Sequence, residues 1–391
     1  MPVGIYISIP FCRSKCSYCN FASDVFAREM VAGYVERVCA DIHLARQTAS
    51  AMGGAIDRHA DTVYLGGGTP TTLTPEQIER IFAALRQEFE IDREAEITVE
   101  CAPGSLAPAM LEALVRAGVS RVSLGVQSFV DAEAAAVGRL HTRAAVLDDI
   151  ARLRAAGITN LNIDLIAGLP HQTAASWRVS LEETISSGVP HASVYMLEVD
   201  EDSRLGRELI AGGTRYHVHF VPDEDAVADS YEQACVRLNS DGIAQYEISN
   251  FARPGMESKH NLKYWTRQPY IGFGLDAHSM LEGPGGAVRF ATPDSLDEFM
   301  AGAPLNRTPV SSHDALEETF FLGLRLTRGV DLKAASARFA VDVEAEFSDV
   351  IRELESSGML ERAGETLRLT SAGRLLSNEV FQRFIALPST P

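Results

Sequence analysis

Cationic side chains are in short supply: 35 lysines and arginines against 53 aspartates and glutamates give a formal charge of −18 over 391 residues. A surface of that sign repels phosphate. Nucleic acid and anionic membrane are therefore excluded as main partners, although a local basic pocket is not. No apolar run approaches the roughly 18 residues of a spanning helix, and the opening MPVGIYISIP has no basic stretch of the kind that begins a secretory leader. The expected setting is the cytoplasm. Cysteine is sparse, at six, and in that compartment thiols or metal ligands are expected rather than a disulfide framework. Apolar residues are not scarce: at 46% of the chain they rule out disorder and, over this length, exceed what one small domain needs.

Short β-branched runs recur at Val3–Ile9, Thr62–Leu65, Ile97–Glu100, Arg121–Val126, Asn160–Leu165 and Ala192–Leu197. Between them, Pro75–Phe89, Leu106–Ala117, Arg143–Ala156 and Ser176–Ser187 carry apolar residues at helical spacing. Such alternation predicts an α/β fold with a parallel sheet and helical crossovers. The unusual residues sit just after the strands: cysteines after the first, Gly66-Gly67-Gly68-Thr69-Pro70 after the second, then Glu100, Gln127 and Asp164. Many strand ends feeding one site favour a partial (β/α)6 TIM-like barrel, whose carboxyl ends share one mouth, over an open sheet with one switch point.

After Pro222 the pattern changes to a helix, Glu224–Ser240, and an aromatic and polar stretch over Tyr246–Ser279. The last part reads as helices at Ala315–Leu326, Leu332–Arg338 and Val343–Ser357, a hairpin at Ala363-Gly364-Glu365, and a closing helix, which together make a small winged-helix-like α+β module. Its central helix carries Glu344, Glu346, Asp349, Glu353 and Glu355 against Arg352, a poor face for a DNA groove. The expected organisation is a core over 1–222, an extension over 223–300 and the module over 301–391.

Cys12, Cys16 and Cys19 form a CxxxCxxC run in the loop after the first strand. Zinc sites use paired motifs or added histidines, and no such partner follows. A 4Fe-4S cluster takes one thiolate per iron, so three thiolates leave one iron open to a chelating small molecule. That is the arrangement of radical S-adenosylmethionine enzymes, in which an electron from the cluster cleaves a carbon–sulfur bond of the sulfonium. GGGTP is not a Walker loop, since no Gly-Lys-Ser/Thr follows. Beside the cysteines its backbone could approach the methionine moiety. Glu100 and Asp164 could take an amine or ribose hydroxyls, and Gln127 and Arg139 could orient ribose and carboxylate. A solvated loop or a salt bridge is the alternative for each.

With YISIPFC (6–12), GGGTP (66–70), SLGVQSF (123–129), GRLHT (138–142) and DLIAGLPHQT (164–173), nearly the whole chain resembles the radical S-adenosylmethionine group that contains oxygen-independent coproporphyrinogen III oxidase and its haem-chaperone relatives. The resemblance implies one 4Fe-4S cluster on Cys12, Cys16 and Cys19. It also implies S-adenosyl-L-methionine contacts from Tyr6, Tyr18, Gly67, Gly68, Thr69, Glu100, Gln127, Arg139 and Asp164, and a porphyrin-type ligand. The oxidases continue with a further cysteine two residues after the third, where this chain has Asn20-Phe21. His260-Asn261-Leu262-Lys263-Tyr264-Trp265 is similar to an HNxxYW element of the chaperones that is associated with haem, and the closing helix is also of their type. The chain departs from the group at Cys101-Ala102, where Asn-containing Glu-x-Asn-Pro-Gly is usual, at Ala167 and at Asp276.

The function expected is that of a haem chaperone, with coproporphyrinogen decarboxylation as the alternative. His260 is a candidate axial donor to haem iron, or else a histidine that hydrogen-bonds a buried loop. His278 is a second candidate, with burial in the core as its alternative. Lys259, Lys263, Arg253 and Arg267 could meet propionates or form a solvated face. Expected partners are haem, a haem-accepting protein (a transiently bound membrane-associated one included), an electron donor such as flavodoxin or ferredoxin, and a second copy in a homodimer; no nucleic acid is expected.

Overall fold

A computed structural model of the chain describes residues 1–385. Six parallel strands, β1 (Val3–Ile9), β2 (His59–Gly67), β3 (Glu90–Cys101), β4 (Arg121–Gln127), β5 (Asn160–Ala167) and β6 (His191–Met196), lie side by side in sequence order. Sequential order has no switch point, so all six carboxyl ends meet at one mouth, as a partial barrel requires. β1 is buried along both faces, the pattern of a parallel strand covered by helices on one side and by the barrel interior on the other.

The crossover helices begin and end where local chemistry dictates. Thr74 and Gln77 form a reciprocal capping box with Pro75 in the first turn of Pro75–Glu88, and Thr173 with Ser176 does the same for Ala174–Ser186. A further helix, Arg28–His43, buries the stripe Tyr34, Val35, Val38, Cys39 and Ile42. The Tyr34 hydroxyl donates to the Ser8 carbonyl at 2.7 Å and accepts from the Leu275 N–H at 2.8 Å. It thereby ties the end of β1 to the segment that carries Leu275. Gly274 permits this approach: a Cβ there would run into the Ser8 carbonyl and the Tyr34 hydroxyl.

The stretch read from sequence only as aromatic and polar supplies further strands, and they extend both edges of the sheet. β8 (Asn250–Ala252) adds antiparallel to β6 and carries β7 (Ala244–Gln245) antiparallel on its outer edge, while β9 (Tyr270–Phe273) pairs parallel with β1 and leads to β10 (His278–Gly283), β11 (Gly286–Ala291) and β12 (Asn306–Val310). Gly283-Pro284-Gly285-Gly286 forms the β10–β11 hairpin turn. β2 and β3 start earlier than expected because their polar ends, His59 and Glu90, pair before a register shift restores the apolar pattern.

The last module has its own core of Leu316, Phe320, Phe347, Leu367 and Phe384, with Phe320 stacked on Phe384 at 4.7 Å. Its antiparallel sheet has the order β13 (Val330–Asp331), β15 (Thr366–Leu369), β14 (Leu360–Ala363). The expected helix Val343–Ser357 breaks at Phe347, whose ring packs inward. Glu318 of this module accepts from Arg267 at 2.7 Å and Arg289 at 2.8 Å, clamping it to the barrel. Burial alone would raise the Glu318 carboxyl, but the two guanidinium groups outweigh it and hold it below its ordinary range. Among the described residues no helix is long and apolar enough to cross a membrane.

Candidate functional site

The cysteine loop is fixed at both ends by the barrel. Cys12 N–H donates to the Asp24 carbonyl and Asp24 N–H to that of Pro10, both at 3.0 Å. Lys15 reaches across the loop to the carbonyls of Phe21 and Ser23, at 2.9 and 2.5 Å. Ser17 N–H bonds Val137, and the Ser17 carbonyl accepts from Leu205 N–H at 2.8 Å. Cys12, Cys16 and Cys19, all free thiols, line a cavity of about 360 Å³ at the mouth.

The same cavity gathers Tyr18, Gly67, Gly68, Thr69, Glu100, Gln127, Arg139 and Asp164. Residues scattered from 12 to 164 thus meet because each lies at or near the carboxyl end of a neighbouring strand. Tyr6 is the one residue of this set that lines the adjoining cavity instead. Gly68 allows a close backbone approach, since a Cβ there would stand 2.8 Å from the Ile9 carbonyl oxygen. Tyr64, Tyr195 and Phe21 also line the cavity and were not singled out from sequence. The signal for the tyrosines lies in register: Tyr64 is two residues before Gly66 on the same face, and Tyr195 pairs with Ile166, two residues beyond the Asp164–Ser193 pair.

Electrostatics at the mouth are set by burial. Glu100 is pushed up to about 7, chiefly by desolvation and then by Asp164, although Tyr64 donates to it at 2.9 Å. Asp164 is raised by burial against hydrogen bonds from Ser123 at 3.0 Å and Asn162 at 2.7 Å. Burial also raises the Cys12 thiol and, followed by the influence of Cys16, the Tyr18 hydroxyl. Burial works against the Arg139 cation, but Tyr18 and Cys16 outweigh it. Arg139 donates to Cys16 Sγ at 3.5 Å and to the Gly125 carbonyl.

Several features of this cavity fit a cluster and its chelated cofactor. Gln127 Oε1 and Arg139 Nε are buried without a hydrogen-bond partner, a costly state unless a bound group meets them. Gln127 holds a positive φ of 69°, which turns the end of β4 inward at some cost. Among the described residues no three histidine, cysteine or acidic side chains close on a single metal ion. Three thiolates with no fourth protein donor suit a cubane better than zinc, because each thiolate takes a different iron.

A second cavity, of about 350 Å³, shares Phe21 and Gly67 with the first and is lined further by Tyr6, Ser8, Tyr264, Tyr270, Asp276 and His278. His260 lies below this surface, fully enclosed. One ring nitrogen meets Thr62 Oγ1 at 2.8 Å and the other the Tyr264 hydroxyl at 2.7 Å, so in this conformation no lone pair is left for a haem iron. Burial, then Lys263 and Arg121, depress the ring to about 3. The hydrogen-bonding alternative is the geometry found. His278 is the reverse of the core histidine weighed from sequence, with 69% of its side chain exposed.

The basic island also disperses. Lys263 is buried on Asp61 at 2.7 Å, Arg267 on Glu318 at 2.7 Å, and Arg253 faces Asp241 at 3.2 Å. Lys259 reaches the Glu94 carbonyl at 3.5 Å. Three of these cations are thus paired with different carboxylates, and among the described residues the four make no common propionate cradle.

Comparison with known proteins places this geometry in context. A family model described as the Radical SAM superfamily matches residues 6–183, and one described as the HemN C-terminal domain matches residues 310–376. The chain is 34% identical over 387 residues to the haem chaperone HemW of Bacillus subtilis, covering 97% of this chain and 98% of that protein. It is 32% identical over 388 residues to HemW of Lactococcus lactis, covering 98% and 97%. A solved structure of coproporphyrinogen III oxidase (HemN) from Escherichia coli, a radical SAM enzyme, is similar with a TM-score of 0.82 and 22% identity, over 98% of this chain and 90% of that one. At that identity the likeness is one of fold.

Proposed function

The chain belongs to the family of the haem chaperone HemW, and from that premise we propose that it binds haem at the barrel mouth and passes it to an acceptor protein. The observation that carries this reading is the adjacency of the two cavities: a thiol-lined one adjoins an aromatic one, the two sharing Phe21 and Gly67. A flat, largely apolar ligand can rest on aromatic rings there within reach of the cysteine loop.

The superfamily to which the chain belongs implies a 4Fe-4S cluster and S-adenosyl-L-methionine, which when bound supply one-electron cleavage of a carbon–sulfur bond. Cys12, Cys16 and Cys19 would hold three irons. Gly67, Gly68 and Thr69 would offer backbone and hydroxyl groups to the methionyl end, with Gln127 and Arg139 meeting its carboxylate and the ribose. Glu100 and Asp164 present carboxylates to the cationic and hydroxyl groups, and Tyr18 screens the site from water. Tyr6 stands at the junction with the aromatic cavity. This reading takes residues 1–222 as the cofactor-bearing unit, with 223–300 and 301–391 completing the haem side and the partner surface. It includes a cytoplasmic setting and an electron donor of flavodoxin or ferredoxin type.

The test is to incubate anaerobically reconstituted protein with haem and, separately, with coproporphyrinogen III and S-adenosyl-L-methionine, followed by mass analysis. Stoichiometric haem binding with unchanged coproporphyrinogen is expected. Multiple-turnover formation of protoporphyrinogen would overturn the chaperone reading in favour of the oxidase.

A further inference from the structure

Of the ten histidines in the chain, only His278 lines either of the two cavities at the barrel mouth. Its Nε2 lies 3.6 Å from Asp276 Oδ1, while no protein group engages Nδ1 among the described residues. The turn that carries the pair is held firmly. Asp276 N–H donates to the Pro293 carbonyl at 2.9 Å, and Ala277 N–H to Thr292 Oγ1 at 2.8 Å. Asp276 itself has a positive φ of 52°, a conformation that costs a non-glycine residue free energy. The fold therefore accepts strain to set a carboxylate beside an exposed imidazole at the edge of an aromatic cavity.

Resting on the haem reading above, we propose that His278 is the protein's axial ligand to haem iron, donating through Nδ1, and that Asp276 orients the ring. A carboxylate near Nε2 favours the tautomer with the proton on that nitrogen and leaves the Nδ1 lone pair free, the arrangement common behind metal-bound histidines. Tyr6, Tyr264 and Tyr270 line the same cavity, together with Phe21 of the cysteine loop, 66% exposed. The bond is a dative one from nitrogen to iron, with no change in oxidation state and no proton released from a neutral ring.

The experiment titrates full-length reconstituted protein with ferric haem and with metal-free protoporphyrin IX, following Soret absorbance and the electron paramagnetic resonance of the iron. His278→Ala is expected to weaken haem binding at least about tenfold and to move the Soret band, with protoporphyrin binding unchanged. Added imidazole should restore the wild-type spectrum to His278→Gly, and Asp276→Asn should weaken haem binding by a smaller factor. Haem affinity and spectrum indistinguishable between wild type and His278→Ala would overturn the assignment. An equal loss of haem and protoporphyrin would do so too, by showing that the side chain shapes the cavity and does not bind the metal. A wild type that binds no haem would overturn the chaperone reading and the ligand assignment together.

Discussion

At the barrel mouth Gln127 Oε1 and Arg139 Nε are buried without partners, whereas under β1 and β2 the equally buried His260 has both ring nitrogens met by hydroxyls. Lys263 beside it sits on Asp61 and on the Pro2 carbonyl at 3.0 Å. Both regions are polar, and both carry residues that stand out in the sequence. The difference lies in hydrogen-bond accounting. His260, with both ring nitrogens met, is part of the fold, while Gln127 and Arg139, left short at a cavity wall, offer polar atoms to a bound group.

The sharpest way to break this contrast is Cys16→Ser. If the mouth is the ligand site, the variant should lose the visible absorption of the iron–sulfur cluster entirely while keeping wild-type far-ultraviolet circular dichroism; a full cluster would dissolve the distinction. His260→Ala probes the other side. It strands Thr62 and Tyr264 and opens a cavity, so unfolding should become easier by about 3 kcal/mol in thermal or denaturant melts. Haem bound by the surviving folded protein should keep its wild-type Soret position. A shifted band with unchanged stability would make His260 a ligand after all.

A smaller effect separates the regions by pH. Glu100 titrates near 7 in the folded protein against an ordinary 4.5. Between those values the native state holds a proton that the unfolded chain has lost, so stability declines as pH rises across the window. Affinity for a cationic sulfonium should do the opposite. Below about 7 the carboxyl is neutral, and affinity should climb by up to about tenfold per pH unit toward that value before levelling off. Glu100→Gln should flatten both profiles in calorimetric titration, and a persisting slope would move the titrating group elsewhere. Least of all, Lys259→Ala, on an exposed carbonyl contact, should change stability by no more than about 0.5 kcal/mol in the same melts. A larger loss would mean that the dispersed basic residues act as a unit.

The cysteine loop, GGGTP and the strand-end residues were legible because their chemistry is local: each is a short motif whose position after a strand fixes which end of the sheet it occupies. The cavity's other walls were not. Tyr64 and Tyr195 join it through strand register, and Phe21 through a loop pinned by Lys15, whose bonds to Phe21 and Ser23 no spacing rule announces. His260 stood out as a ligand candidate because an isolated HNxxYW run does not reveal that Thr62, nearly 200 residues away in sequence, closes over it. His278, the second candidate, was weighed against burial in the core for the converse reason. Only the β10 edge, with Asp276 folded back beside it, gives it an exposed ring at a cavity wall.

By itself the sequence determined the alternation that builds a parallel sheet, the CxxxCxxC run of three thiols and the acidic balance of the surface, since these follow from residue type, order and spacing alone. Tertiary structure decided which polar groups are paired and which are left over. Hydrogen bonds and desolvation depend on neighbours that the chain brings together only when distant strands meet.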